Sequence, residues 1–361
     1  MKGEADVCIV GAGPSGLLLS YLLAKKGLSV LLLEQQEELG KTFRGEFLNE
    51  EGEAVLNSHH LFKAVEELGV LRMERIDYCT QEKVMKSIYP DPSIGHVGIH
   101  VPQAHLLKAI LSKVQEFPHF TCLLNRKVTD LVIDETGRYI GAVATKSGED
   151  ITIRSKLIIG ADGRYSTLRR LAHTDIVKRK HGFDVLWAKI PAPENWEPVI
   201  KMALIDGLQL SLFPQTDGMI QIGWNIEQGS FPKLRKQDFT PFILKLTKVF
   251  PELKEIVTQH IQSWQDFVIL DVFSSYSNYW GTDGLVFVGD AVHTMTPTGA
   301  IGINSGLKDA DCLAALLAKD TIKQFNVQTF AEMRQHDIEE LMKKQIEKEQ
   351  NYAANFIEPA S

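Results

Sequence analysis

The chain opens on a short apolar run, Val7-Cys8-Ile9-Val10, then a glycine-rich turn, then a mostly apolar stretch from Leu17 to Lys26-Gly27. A second apolar run, Val30-Leu31-Leu32-Leu33, closes on Glu34. Short runs of this kind predict strands buried on both faces, and the longer stretch predicts a helix. Further on, Val55, Leu56, Leu61, Phe62, Val65 and Leu68 recur at helical spacing, with Gly69 as a stop. Residues 73–98 alternate as strands do, interrupted at 89–96, where Pro90 and Pro92 lack the N–H that a ladder needs. A helix is predicted from Gln103 through Leu106, Leu107, Ile110 and Leu111; Pro102 at its start costs no hydrogen bond.

Three strand patterns follow, over 128–133, 139–145 and 151–159. Asp134-Glu135-Thr136-Gly137 and Ser147-Gly148 are the turns between them. The third strand delivers Gly160-Ala161-Asp162-Gly163. Residues 178–274 alternate strongly, as in Leu208-Gln209-Leu210-Ser211-Leu212-Phe213, and predict an antiparallel sheet with a helix over 242–250. Another buried strand then ends in Gly289-Asp290, a loop runs from Val292 to Ile303, and a helix continues to about Leu317. The tail, 329–355, is rich in Lys and Glu and reads as a charged helix.

Composition narrows this only a little. The 361 residues are 44% apolar and 24% charged, enough for two domains. A net charge of −7 argues against a nucleic-acid surface. Cys8, Cys79, Cys122 and Cys312 form no CxxC pair, so free thiols in a reducing, cytoplasmic setting are expected, with no metal site. No leader peptide is expected, and no apolar run reaches the ~20 residues of a membrane span.

The first strand–turn–helix carries the chemistry. Gly11-Ala12-Gly13-Pro14-Ser15-Gly16 has glycines for the tight turn, for close approach of a pyrophosphate, and for packing of helix on sheet. The N–H groups and the positive helix end suit the phosphates. Glu34, 18 residues past Gly16, stands where an acid holds ribose hydroxyls. This motif by itself leaves FAD and NAD undivided.

Three motifs in one order set the chain in a family. Gly11 to Gly16 with Glu34, then Gly160-Ala161-Asp162-Gly163, then Gly289-Asp290 with Pro297-Thr298-Gly299-Ala300-Ile301-Gly302-Ile303-Asn304, resemble the single-component FAD-dependent aromatic hydroxylases, the para-hydroxybenzoate hydroxylase type. The resemblance implies an α/β fold. A FAD-binding Rossmann-like domain of glutathione reductase type, with an inserted β-meander, would span 1–72, 98–177 and 275–361. A smaller antiparallel-sheet substrate domain would span 73–97 and 178–274. It also implies that Gly11, Gly13, Pro14, Ser15, Gly16 and Glu34 hold the adenosine end. Asp290 would hold the ribityl chain, and Pro297, Gly299, Gly302, Ile303 and Asn304 would wrap the flavin. Arg44 and Gln103 would approach the cofactor, although many relatives carry Arg at the place of Gln103, and Asp162 would support both FAD and a passing NAD(P)H.

Plainer roles stand beside these: a helix cap for Asp290, a surface ion pair for Arg44, a turn residue for Asp162, a solvent-facing Gln103. His293 and Pro297 are the candidate catalytic residues, with packing the other reading of His293. Trp187, Phe213 and Trp224 are candidates for a substrate pocket, or else core. The implied reaction is hydroxylation of a small aromatic substrate with NAD(P)H and O2, through a flavin C4a-hydroperoxide. Alternatives on the same fold are reduction of isoprenoid double bonds or a non-enzymatic FAD-binding redox protein. Halogenation would call for tryptophans where Leu186 and Ala188 precede Ile190-Pro191.

Overall fold

In the computed structural model, which describes residues 2–40, 45–81, 83–318 and 320–356, the chain divides into two compact units. The first comprises Met1–Leu68, Pro102–Arg179 and Ser274–Lys343; the second comprises Gly69–Val101, Lys180–Phe273 and Lys344–Ser361.

The first unit is built on five parallel strands. Strand Lys2–Val10 lies between Val30–Leu33 and Glu149–Gly160; Phe120–Leu123 continues one side and Leu285–Phe287 the other. Both faces are covered, which is why these strands read as unbroken apolar runs: Val7, Cys8, Ile9 and Leu32 are fully buried. Strands Lys127–Ile133 and Tyr139–Lys146 form the meander, antiparallel to the first half of Glu149–Gly160. Ser147 and Gly148 both take positive φ, the two-residue hairpin geometry that follows the right-handed strand twist.

Helix Pro14–Lys25 is apolar on nearly every side because it packs on the sheet and against helices Gln103–Val114 and Ile301–Leu316. The Lys26 ammonium donates to the carbonyls of Ala314 and Leu317 at the end of helix Ile301–Leu316, where the helix dipole favours a cation.

The second unit holds a seven-stranded sheet in the order Val268–Leu270, Phe183–Pro191, Met219–Glu227, Leu208–Pro214, Val199–Ile205, Arg75–Cys79, Val84–Ile88. Its neighbours are antiparallel except Val199–Ile205 with Arg75–Cys79. One face carries Leu186, Ala188, Leu210, Leu212, Ile222 and Trp224, in one apolar cluster with Leu246 and Phe250, at the end of helix Phe239–Val249, and with Val257 of helix Lys254–His260. The first of these helices starts three residues before the periodicity suggests. Asp238 caps it by accepting from Thr240 N–H, and Pro241 falls in the first turn, where its missing N–H has no partner to lose.

The tail is helical over Val327–Gln350, then turns at Tyr352–Phe356. The sequence assigns 275–361 to the first domain, whereas from Lys344 onward the tail clusters with the second unit. The cause is aromatic: Tyr352 and Phe356 pack on Tyr78, with ring centroids 6.2 and 5.5 Å away. Among the described residues, no helix is long and apolar enough to cross a membrane, and no group of three metal-ligating side chains gathers.

Candidate active site

Strand register brings the motifs together. Val10 pairs with Leu33 and with Gly160, and Gly160 pairs with Phe287, so three strands beside the first end level with it. The residues that follow each strand therefore share one edge of the sheet: Gly11, Glu34, Ala161-Asp162 and Val288-Gly289-Asp290. Carboxyl ends of parallel strands are where open α/β sheets bind ligands.

Close contacts lock this edge. Gly11 has φ +105°, and a Cβ there would meet the Ala161 carbonyl oxygen at 2.3 Å. A Cβ on Gly16 would lie 2.0 Å from the Gly11 oxygen, so helix Pro14–Lys25 begins against the turn. Ser15 Oγ fills the space beside Gly289 and Gly306, where an added Cβ would come within 3.0 and 2.4 Å of it. Sequence positions about 290 apart are thus in van der Waals contact through their small size.

What remains open is backbone. Gly13 caps helix Pro14–Lys25 without any side-chain hydrogen bond, and a Cβ on Gly13 would meet nothing within 4 Å. Helix Ile301–Leu316 starts likewise without a side-chain cap. Before it, Gly299 (φ 75°) and Ala300 (φ 53°) are both left-handed, so successive N–H groups turn toward one side. Gly299 is exposed, and Ala300 to Ile303 are half-buried. Both helix starts are accessible, donor-rich and positive in potential.

The acids divide by role. Both oxygens of Glu34 accept backbone N–H, from Ala12 (2.8 Å) and Gln36 (2.8 Å), which fixes the carboxylate beside the glycine turn. A carboxylate has about four lone-pair directions, so room remains for two hydroxyl donors. Asp290 lies on the 3₁₀ turn Gly289–Ala291; Arg164 Nε is 3.9 Å from its carboxylate, and a Cβ on Gly302 would be 3.7 Å from Oδ1. Asp162 Oδ2 accepts from the N–H of Thr167 (2.7 Å) and Leu168 (3.0 Å), capping helix Thr167–Leu171. Its Oδ1 is buried with no hydrogen-bond partner, an acceptor suited to a ligand hydroxyl or a water, and burial pushes this carboxyl above its ordinary range.

Several expected residues do other work. His293 is 1% exposed and lies 2.6 Å from Asp309 Oδ2, with the ring of Trp280 at 5.6 Å, a setting that favours the packing reading over the catalytic one. Asn304 is a fastener: its amide donates to the Phe47 and Ala300 carbonyls and accepts from Asn49 N–H, leaving only its backbone for a ligand. Gln103 donates to Glu46. Pro297, half-buried, precedes the left-handed pair with ordinary helical φ. Arg44 lies outside the described residues. Trp224 is 2% exposed and stacked on Phe242 at 4.1 Å, within the core. Trp187 and Phe213 stay together on the opposite face of that sheet, 6.3 Å apart.

Asp309 escaped the motif reading. It is fully buried and accepts from Gly289 N–H (2.8 Å) and Arg334 Nε (2.8 Å) as well as facing His293. Burial alone would raise its carboxyl, but His293, Arg334 and the Gly289 N–H hold it down at about 2. The signal was there: Gly302, Gly306, Asp309 and Leu313 form one helical stripe, and an acid on a stripe of small and apolar residues needs partners. Arg169, also buried, ties helix Thr167–Leu171 to the Ala291 carbonyl at 2.6 Å.

Comparison with known proteins agrees with this geometry. Residues 4–324 match the family described as FAD binding domain. The chain is 32% identical to 6-methylpretetramide 4-monooxygenase of Streptomyces rimosus, over 85% of this chain and 73% of that protein. Among solved structures, pqsL, a probable FAD-dependent monooxygenase from Pseudomonas aeruginosa, superposes with TM-score 0.81 at 18% identity, covering 98% of this chain and 97% of the other. Aklavinone-11 hydroxylase, solved with FAD and aklavinone, gives 0.80 at 16% identity, covering 98% of this chain and 69% of the other. The two structural likenesses are of fold.

Proposed function

The chain belongs to the FAD-binding domain family, as a FAD-dependent monooxygenase of the aromatic-hydroxylase type, and on that premise we propose that it oxygenates a ring-bearing small molecule with electrons from NAD(P)H. The observation that carries the reading is the level ending of strands Lys2–Val10, Val30–Leu33, Glu149–Gly160 and Leu285–Phe287. That edge offers an acid, two uncapped helix starts and a run of exposed backbone donors in one place.

FAD, when bound, supplies hydride acceptance from NAD(P)H, activation of O2 and transfer of one oxygen atom to the substrate. The residues present fit it. Gly13 to Ser15 would receive the pyrophosphate on backbone N–H groups, where no side chain intrudes. Glu34, already oriented by two N–H donors, would accept from the ribose hydroxyls. Asp290 would accept from the ribityl hydroxyls. Gly299 to Ile303 would face the tricyclic ring with backbone, and the start of helix Ile301–Leu316 would stabilise negative charge on the ring's N1–C2 edge. Asp162 Oδ1 would take a hydroxyl or water donor. The face of the second sheet that carries Trp187 and Phe213 would hold the substrate.

The S. rimosus relative is a monooxygenase by name, which favours oxygenation over the reductase alternative. Purified protein titrated with FAD should take up one flavin per chain, and NAD(P)H oxidation by the loaded protein should consume O2 and quicken with substrate. A folded protein that takes up no flavin, or turnover without oxygen consumption, would contradict the proposal.

A further inference from the structure

Resting on that reading of the second sheet, we infer that the face carrying Trp187 and Phe213 is cut for a flat, multi-ring molecule whose polar groups are ring hydroxyls and ketones, and not for a small aromatic carboxylate. Register defines the face. Trp187 stands opposite Gly223, which stands opposite Ser211, which stands opposite Met202, across four neighbouring strands. In the next row Lys189 stands opposite Gln221, and Gln221 opposite Phe213.

Gly223 is the key to its shape. A Cβ there would collide with the six-membered ring of Trp187, at 2.6 Å from Cζ3 and 3.0 Å from Cη2. The indole therefore lies across the bare backbone of the central strand and leans toward Phe213, at an interplanar angle of 47°. Trp187 and Phe213 come from strands two apart, yet their ring centroids lie 6.3 Å from each other. Two adjoining rings make an aromatic surface broader than one ring, which matches a fused system.

The polar groups on the face are mostly uncharged. Gln209 Nε2 donates to Ser211 Oγ (2.7 Å), Gln215 donates to Gln221, and Asn225 lies opposite Val185. Amides and hydroxyls both donate and accept, which suits alternating ring hydroxyls and carbonyls. A carboxylate substrate would call for a guanidinium fork. The second unit has three arginines, Arg72, Arg75 and Arg235, and none lies on this face. Arg72 belongs to strand Leu71–Met73 of another sheet. Arg75 shares the opposite face with Cys79 and is held by Asp77 and Glu197. Arg235 ends the short helix Phe231–Leu234, which packs on the covered face. Lys189, in the row of Gln221, is a point charge fitted to one ionised ring hydroxyl.

Equilibrium dialysis of the FAD-loaded full chain tests this, with 1,8-dihydroxyanthraquinone and 4-hydroxybenzoate as probes. The anthraquinone should bind at least about tenfold more tightly than the benzoate. Gly223→Ala, which displaces the indole, should weaken the anthraquinone about tenfold, and flavin content should not change. Trp187→Ala, at a partly exposed side chain that packs against Phe183, Val185 and Val272, should do the same, and Trp187→Phe should restore most of the affinity. A flavin-loaded protein that prefers the benzoate, or whose anthraquinone affinity is indifferent to Gly223→Ala and Trp187→Ala, overturns the inference alone. A protein that shows the predicted probe pattern but takes up no FAD supports the chemistry of the face and removes the proposed function instead.

Discussion

The two sheets would make the proposed sites in opposite ways. In the first unit the strands are covered on both faces, so nothing functional fits on a face, and chemistry is displaced to the strand ends. There it is made of backbone: N–H groups exposed by Gly13, Gly299 and Gly302, with few side chains reaching in. In the second unit one face packs on helices and the other carries the partly exposed Trp187, Lys189 and Phe213, and whatever binds there meets side chains. A backbone site depends on which residues are absent, a face site on which are present. Substitutions should separate the two.

The largest effect is expected at Gly11. Its φ of +105° costs a non-glycine residue about 1–3 kcal/mol in strain, before the 2.3 Å collision with Ala161. Gly11→Ala should lower FAD affinity at least about a hundredfold and lower the melting temperature of the flavin-free protein. Gly13→Ala breaks the comparison differently. Its φ is −72° and its surroundings are open, so the flavin-free melting temperature should hold while FAD affinity falls. If Gly13→Ala leaves FAD affinity untouched, the backbone-site account of the turn fails.

On the second sheet, Trp224→Ala should cost about 3–5 kcal/mol in urea unfolding, because the indole is buried against Phe242. Trp187→Ala, one strand away on the other face, is partly exposed and packs only on the smaller cluster of Phe183, Val185 and Val272, so it should cost less, about 1–2 kcal/mol. Equal costs would mean that the faces are not divided as described.

Asp309 carries a smaller, pH-dependent share. Its carboxyl sits near 2 in the fold against 3.8 ordinarily, so the folded chain binds fewer protons there than the unfolded one. The stabilisation is present above pH 3.8 and lost as pH falls toward 2, on the order of 2 kcal/mol in all. Urea midpoints measured across that window should fall for the native chain and fall less for Asp309→Asn. The smallest effect is expected from Ser166→Ala, which removes the cap accepting from Arg169 N–H at 3.0 Å, at about 1 kcal/mol.

The difference between the sheets also explains what could be read from the chain. Glycine turns after buried strands are rare enough, and mechanically specific enough, that Gly11 to Gly16, Gly160 to Gly163 and Gly289 to Asn304 announced a nucleotide site and its family. The inserted meander and the helix to Leu316 were equally plain. Side-chain partnerships were not. His293 looked available because nothing local reveals Asp309 and Arg334, 16 and 41 residues later. Asn304 looked like a ligand because Phe47 and Asn49 are far off in sequence. Trp187 and Trp224 looked alike until register set them on opposite faces, although the parity of Leu186, Ala188 and Ile190 already placed Trp187 away from the cluster that holds Trp224. The tail's helical pattern was legible, but its attachment through Tyr352 and Phe356 to Tyr78 was not.

Hydrogen–deuterium exchange of the flavin-free and FAD-loaded protein tests the central claim most directly, because the site is made of amides. The account predicts slowed exchange, on adding FAD, in 11–17, 34–36, 161–163, 289–290 and 299–304 together. Protection confined to one of these segments, or appearing elsewhere with these unchanged, would contradict it.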